Sequence, residues 1–175
     1  MFLSGDRSYI LAEGDSLWSY FLSKHSSDFV LTEEELWSLL GQMTTALLTL
    51  KQHGLAHHHL KEYAVRRVSE HSFRLIYHPL MNSVRRFVDK GIYHWYNFYL
   101  PPESLQSLEV TQPDSTVFSL GAMALNLMNP LDCKRDIYSS QALELNPDII
   151  EEKLRNTERV YSEVLGDIVR SMLQA

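Results

Sequence analysis

The stretch TEEELWSLLGQMTTALLTLKQHGLAHHHLKEYA, residues 32–64, decides the fold of this chain. Thr32 and Glu35 have the spacing of a capping box at a helix N-terminus. Apolar residues then recur at steps of three and four, which is typical of a helix with one buried face: Leu36, Leu39, Leu40, Met43, Leu47 and Leu50. Gly54 is the expected helix end because glycine accepts a positive φ at low cost. The sequence therefore predicts one long core helix, followed by a loop rich in histidine.

Shorter elements are predicted before and after this helix. The first 12 residues read as a hairpin around the turn Ser4-Gly5-Asp6, and residues 64–77 read as a second hairpin. Between the first hairpin and the long helix, Asp15 or Ser16 is predicted to cap a short helix. This helix carries the apolar residues Leu17, Trp18, Phe21 and Leu22.

Three further helices are predicted in the second half of the chain. The first runs from about Asp114 to Met128, and its apolar residues are Val117, Leu120, Met123, Ala124, Leu127 and Met128. The second is opened by Asn146-Pro147, because proline is favoured at the first helical position. The third is predicted to open at Thr157, with an apolar stripe of Val160, Val164, Leu165, Ile168, Met172 and Leu173.

Composition sets limits on the class of protein. The chain has 175 residues and a formal net charge of −6, which favours one soluble domain and argues against non-specific nucleic-acid binding. The single Cys133 suits a reducing compartment, so a cytoplasmic location is expected. No apolar run approaches the roughly 20 residues that span a bilayer, so no membrane partner is expected.

Taken in order, these pieces resemble the C-terminal lobe of a protein kinase. The run His57-His58-His59-Leu60-Lys61-Glu62-Tyr63-Ala64 follows a long helix, where that family carries its catalytic loop. Residues 73–79 resemble the strand that leads into the Asp-Phe-Gly motif. Leu100-Pro101-Pro102-Glu103 resembles the end of the activation segment. Residues 117–121 resemble the start of the central buried helix.

The resemblance covers about residues 8–174 and implies a fold and two regions. The fold is mainly α (α+β), a kinase C-lobe-like helical domain with two small β-hairpins. Residues 1–14 would be a residual N-lobe strand and hinge, and residues 15–175 the helical domain. Only seven residues precede the strand at Ser8, whereas the missing strands and helix of an N-lobe need at least ~30. The nucleotide cradle of the N-lobe is therefore expected to be absent.

The residues that would transfer phosphate are replaced. The resemblance places His59 at the catalytic Asp, Ala64 at the magnesium-binding Asn and Tyr77 at the magnesium-binding Asp. A methyl group and a neutral phenol do not replace the oxygen ligands that Mg²⁺ requires. Lys61 alone keeps the family's residue type. We therefore expect an inactive domain without a cofactor, with these degenerate positions: His57, His58, His59, Lys61, Ala64, Tyr77, His78 and Pro79.

Two structural positions also depart from the family. Thr116 stands where the central helix of a kinase carries a buried Asp. The sequence ends at Ala175, before the Arg that pairs with the Glu of the activation segment. We therefore expect Glu103 to be solvated or paired with a different cation, because a buried unpaired carboxylate is costly. The missing final helix leaves open that the sequence is part of a longer pseudokinase.

The histidine cluster supports an alternative function. Imidazole is a common zinc ligand, so residues 57–59 could serve a residual nucleotide- or metal-dependent enzyme. Against this, His57 stands where the family keeps a packed structural His, and Gly54 breaks the helix between His53 and His57. The sequence favours a structural role for the cluster and no bound metal.

Charge and exposed apolar residues indicate a protein partner. Residues 64–92 contain six cations and two acids, a charge of +4, which leaves −10 for the rest of the chain. Such a patch can attract an acidic partner. A strand without its sheet and an aromatic run at residues 92–99 are further candidate surfaces. The candidate partner-binding residues are Tyr9, Leu11, Arg66, Arg67, Arg85, Arg86, Trp95 and Tyr96.

The sequence-based interpretation is a catalytically inactive pseudokinase domain. It would act as a protein–protein interaction module or as a structural subunit of a larger assembly. The chain resembles in extent the non-catalytic C-lobe domains of the Spire family, which bind partner peptides with this lobe alone. The expected partner is a protein with an acidic or helical binding segment. The oligomeric state is left open.

Overall fold

Helices make up most of the described chain. The computed structural model of the protein describes residues 2–4, 7–9, 13–24, 30–55, 57, 60–76, 99–102, 115–130, 137–138 and 144–174. Within these ranges it has five α-helices, a two-stranded sheet and a three-stranded sheet. None of the helices in these ranges has the length and apolar character needed to cross a membrane. The prediction of a mainly α chain with a small β part is confirmed.

The predicted N-terminal hairpin is present. Strand β1 (Phe2–Ser4) pairs with β2 (Arg7–Tyr9) in antiparallel register, with Phe2 opposite Tyr9. The predicted strand ran on to Leu11, but residues 10–12 lie outside the described part of the chain.

The second hairpin is also present and gains a third strand. Strand β4 (Val65–Ser69) pairs with β5 (Ser72–Leu75), and β3 (Asp15–Ser16) pairs with the other edge of β4. Gly14, with φ +88°, leads into β3 and lies against the backbone of β4. The sequence did not reveal β3, because its contact depends on this close backbone approach rather than on an apolar pattern.

The five described helices are α1 (Leu17–Lys24), α2 (Glu33–Gln52), α3 (Ser115–Met128), α4 (Pro147–Thr157) and α5 (Glu163–Met172). Ser16 caps α1, since its hydroxyl accepts the Ser19 N–H at 3.0 Å. Asn146 caps α4 and accepts the Ile149 N–H at 3.3 Å. Leu17 and Phe21 of α1 are buried, whereas Trp18 and Leu22 are exposed.

Helix α2 has the predicted ends but a shorter buried face. Thr32 and Glu35 form the capping box, and Gly54 has φ +68° after the last turn. The buried residues are Leu36, Leu39, Leu40 and Met43. Leu47 and Leu50 are only half-buried. The second half of α2 thus extends past the core.

Helix α3 lies at the centre of the core, with one predicted position wrong. Leu120, Met123 and Leu127 are each at least 98% buried, but Val117 is 38% exposed. Val117 lies near the start of α3, at the rim of a surface cavity. Helices α3 and α5 approach closely at Gly121, where a Cβ would lie only 2.7 Å from Met172 Cβ.

The predicted start of the last helix is wrong. Thr157 is the last residue of α4, where its hydroxyl donates to Leu154 O at 2.7 Å. Ser162 caps α5 instead. Val160 and Val164 are therefore exposed rather than buried, and the buried face is formed by Leu165, Val169 and Leu173.

Candidate functional site

The described residues of the run 57–64, which resembles a catalytic loop in sequence, lie in the protein interior or are half-buried. This run connects α2 to β4 and ends in a 3₁₀ helix, Glu62–Ala64. Within this run, the described histidine, lysine and glutamate side chains, those of His57, Lys61 and Glu62, are exposed by only 6, 6 and 3%. Groups this far from solvent are not placed to hold a solvated metal ion or a phosphate at a cleft.

Glu62 is held by a buried hydrogen-bond network. The Tyr99 hydroxyl donates to Glu62 Oε1, and Asn126 Nδ2 of α3 donates to the same hydroxyl at 2.8 Å. Burial raises the pKa of Glu62, and the hydrogen bond from Tyr99 limits the rise. The raised pKa means that this carboxyl holds its proton to a higher pH than an exposed glutamate does.

Lys61 packs against the same tyrosine. Its Nζ lies 5.2 Å from the centre of the Tyr99 ring, within cation–π distance. Burial lowers the pKa of Lys61 to about 8, although the adjacent Glu62 opposes this. Lys61 keeps the residue type of a kinase catalytic loop, but its described contacts are those of a core residue.

The segment around Tyr99 is attached to the centre of the fold. Ser119 Oγ of α3 donates to Tyr99 O, and the Tyr138 hydroxyl donates to Leu100 O. These bonds hold residues 99–102 against α3 and the loop. Together with Lys61 and Glu62, they form a buried polar network whose evident chemistry is structural.

His57 is packed as a structural residue. Its Nε2 lies 3.0 Å from Ile76 O, and the Ile76 N–H donates to Ala64 O at 2.8 Å. These bonds bring the loop beside the strand that precedes Tyr77, although Tyr77 itself lies outside the described residues. Within the described ranges, no group of three or more His, Cys, Asp or Glu side chains could hold a metal.

Thr116 is buried and lines a cavity of about 170 Å³ between α2, α3 and α5. His57 and Lys51 also line it, while Leu48, Leu55 and Val117 are exposed around it. None of its described lining residues is acidic, so it does not offer the carboxylates of a magnesium site.

Several predicted positions lie outside the described residues, and their roles stay predictions. They are Leu11, His58, His59, Tyr77, His78, Pro79, Arg85, Arg86, Trp95, Tyr96 and Glu103. Tyr9 is described only as part of β2.

Arg67 and Arg66 lie on opposite faces of the three-stranded sheet. Arg67 Nη2 donates to Glu35 Oε1 at 2.7 Å, and its guanidinium lies 4.4 Å from the centre of the Tyr20 ring. Thr32 N–H donates to the other oxygen of Glu35 at 2.9 Å. Burial of the Glu35 carboxyl opposes ionisation, but the bonds from Arg67 and Thr32 outweigh it and lower its pKa. Arg67, a predicted partner-binding residue, thus has an internal role.

Three of these residues were not predicted from the sequence to belong to a site. Tyr99 was included only in an aromatic run, Asn126 was not singled out, and Glu35 was assigned a capping role alone. Alternation in β4 was the usable signal for Arg67, since it shares a strand face with the apolar Val65. No local pattern links Tyr99 to Glu62, which are 37 residues apart.

The comparisons with known proteins add no relative. No protein-family model matches the sequence, and no curated protein matches it.

Proposed function

We propose that this chain is a catalytically inactive domain resembling the C-terminal lobe of a protein kinase. Its function is to bind protein partners, as an interaction module or as a structural subunit of a larger assembly. The order of long helix, polar loop, hairpin and central helix supports this proposal. The single Cys133 supports a cytoplasmic location.

One observation supports the proposed lack of catalytic activity. The described histidine, lysine and glutamate of residues 57–64, which are His57, Lys61 and Glu62, all lie in the interior. Phosphoryl transfer depends on charged groups that hold metal ions and phosphates in an accessible cleft. Here Lys61 and Glu62 contact the buried Tyr99 instead.

Nucleotide and metal titrations test the inactive state. We expect isothermal calorimetry of the full chain to detect no saturable binding of Mg-ATP, and none of Zn²⁺. A dissociation constant tighter than about 100 µM for either, a binding free energy of about −5.5 kcal/mol, would overturn the proposal. It would then favour the alternative, a residual nucleotide- or metal-dependent enzyme that uses residues 57–59.

Partner binding requires a separate test. The full chain would be used to capture proteins from native extract, and each candidate would be purified and titrated against it. We expect at least one to bind in the micromolar range or tighter, with weaker binding to the double variant Arg85→Glu, Arg86→Glu. The double variant Arg155→Glu, Arg159→Glu, at exposed positions near the end of α4 and in the turn that follows it, changes the net charge by the same amount and is the control. Failure of every purified candidate to bind would contradict the proposal.

A further inference from the structure

The outer face of the β4–β5 hairpin carries two arginines side by side. Residues alternate between the faces of a strand, and Val65 and Phe73 on the inner face are buried. Arg66 and Arg74 therefore lie on the outer face, where the register places them directly opposite each other. On the other side of Arg66, the register places the neutral Ser16 of β3. Like charges in this arrangement repel each other.

Arg66 has an unused hydrogen-bond donor. Its Nε is buried, and no hydrogen-bond acceptor among the described residues contacts it. No ion pair of Arg66 is found in the described part of the chain either, whereas its sequence neighbour Arg67 bonds to Glu35. The buried Nε is closed to an incoming ligand, but the two Nη groups also bond to no described residue. A guanidinium can take a carboxylate through two parallel N–H···O bonds from such groups.

Among the residues that the structure describes, Arg74 is engaged only by an exposed acidic group. Its Nη1 donates to Glu13 Oε2 at 2.9 Å, and the two side chains are 61% and 67% exposed. Exposed ion pairs of this kind are weak and are screened by salt. Glu13 therefore marks where a carboxylate can lie on this face, and an incoming carboxylate can replace it at little cost.

We propose that this face binds an acidic, extended peptide segment of a protein partner. Arg66 takes one carboxylate and Arg74 takes another. Opposite residues at a hydrogen-bonded position of an antiparallel pair are about 5.5 Å apart, and residues i and i+2 of an extended peptide are about 6.8 Å apart. Two acidic residues separated by one residue therefore fit the two guanidinium groups. The inference rests on the proposed function and specifies the chemistry of the partner.

A labelled synthetic peptide with alternating glutamate and threonine tests the proposal by fluorescence anisotropy at low ionic strength. We expect saturable binding to the full chain and at least a fivefold loss with Arg66→Gln. Arg66→Lys should also weaken binding, because an ammonium does not form the paired hydrogen bonds. Arg159→Gln, which changes the same charge at a distant exposed turn, should stay within twofold of the unmodified chain. Circular dichroism would confirm that each variant is folded.

Glu13→Gln should change peptide affinity in the opposite direction. A gain in affinity cannot be explained by a variant that fails to fold. Removing the protein's own carboxylate frees Arg74, so peptide binding should tighten about twofold to threefold. The proposal is overturned if the peptide does not bind, if Arg66→Gln and Arg159→Gln weaken it equally, or if inorganic phosphate binds while the peptide does not. Peptide failure without Mg-ATP binding would remove this inference alone. Mg-ATP binding would remove the proposed function as well.

Discussion

Arg66 and Arg67 are adjacent in the sequence, yet they lie in opposite environments. Arg67 lies on the inner face of the sheet, where Glu35 and the Tyr20 ring surround its guanidinium. Arg66 lies on the outer face, beside Arg74 and without an acidic partner among the described residues. The two-residue period of a strand thus places one arginine among internal contacts and the other on the outer face, where we propose that it binds a partner. Net charge in a segment cannot make this distinction.

Gly14→Ala should detach β3 from β4, the strand that carries Arg66 and Arg67 on its opposite faces. A Cβ at Gly14 would lie 2.5 Å from Arg67 O, and φ is +88°. The clash is with backbone, which cannot move aside as a side chain can. We expect the free energy of unfolding to fall by more than about 3 kcal/mol, measured by urea denaturation.

Gly54→Ala is the matched control for Gly14→Ala. Gly54 also has a positive φ, +68°, but a Cβ there would meet open space. Its expected cost is the backbone strain alone, about 1 kcal/mol. Equal losses in the two variants would show that the close approach of Gly14 to β4 contributes nothing.

Arg67→Gln and Arg66→Gln should differ in their effect on the free energy of unfolding. Arg67→Gln leaves the Glu35 side chain, 8% exposed, without its cation, and we expect a loss of about 2 kcal/mol at pH 7. Arg66→Gln should stay within about 0.5 kcal/mol, because it also relieves repulsion from Arg74. Urea denaturation of both variants gives the comparison, and losses of the same size would contradict it.

The effect of Arg67→Gln should also depend on pH. The pKa of Glu35 is lowered in the folded protein, so its stabilising contribution is present above its unfolded pKa of about 4.5. That contribution is lost as pH falls through the folded pKa. The difference between Arg67→Gln and the unmodified chain should therefore shrink below about pH 4. A difference that is constant from pH 7 to pH 3 would exclude an ionic origin.

Local signals in the sequence predicted the elements well. The capping box at Thr32 and Glu35 and the proline after Asn146 are contacts within one turn, and both hairpins have clear turn residues. The predicted start of α5 was wrong because Thr157 and Ser162 are both of a residue type that caps helices. The choice between them depends on how α4 ends and how α5 packs on α3, which no local pattern contains.

The candidate site was less predictable than the fold. The sequence identified the loop and the altered type of its residues, but not that Lys61 and Glu62 turn inward. Their direction depends on Tyr99 and Asn126, which lie 37 and 64 positions after Glu62. Burial of a charged residue is decided by distant partners that satisfy it, so composition favours the opposite expectation of solvent exposure.

Glu62→Gln tests the role of the buried polar network around Tyr99. The pKa of Glu62 is raised by burial in the folded protein. The unfolded chain therefore loses this proton at lower pH, and the stability of the unmodified protein falls as pH rises from about 4.5 toward the folded pKa. Glutamine keeps an acceptor for Tyr99 and does not ionise. The variant should gain on the unmodified chain by up to about 1.4 kcal/mol per pH unit in that window.

Thermal unfolding from pH 5 to pH 7.5 measures this gain. Glu34→Gln, which changes an exposed glutamate of α2, is the control variant. If the gain of Glu62→Gln does not change with pH, then burial does not raise the pKa of the Glu62 carboxyl, and the structural role assigned to the network loses its main support.

The Glu13–Arg74 pair should show the smallest effect. Both side chains are more than half exposed, so a double-mutant cycle with Glu13→Gln and Arg74→Gln should give a coupling of at most about 0.5 kcal/mol. Urea denaturation at low and moderate salt would measure it. A coupling above about 1 kcal/mol would mean that Glu13 holds Arg74 as firmly as Glu35 holds Arg67. The outer face would then be closed by the protein's own carboxylate, and the difference between the two faces would disappear.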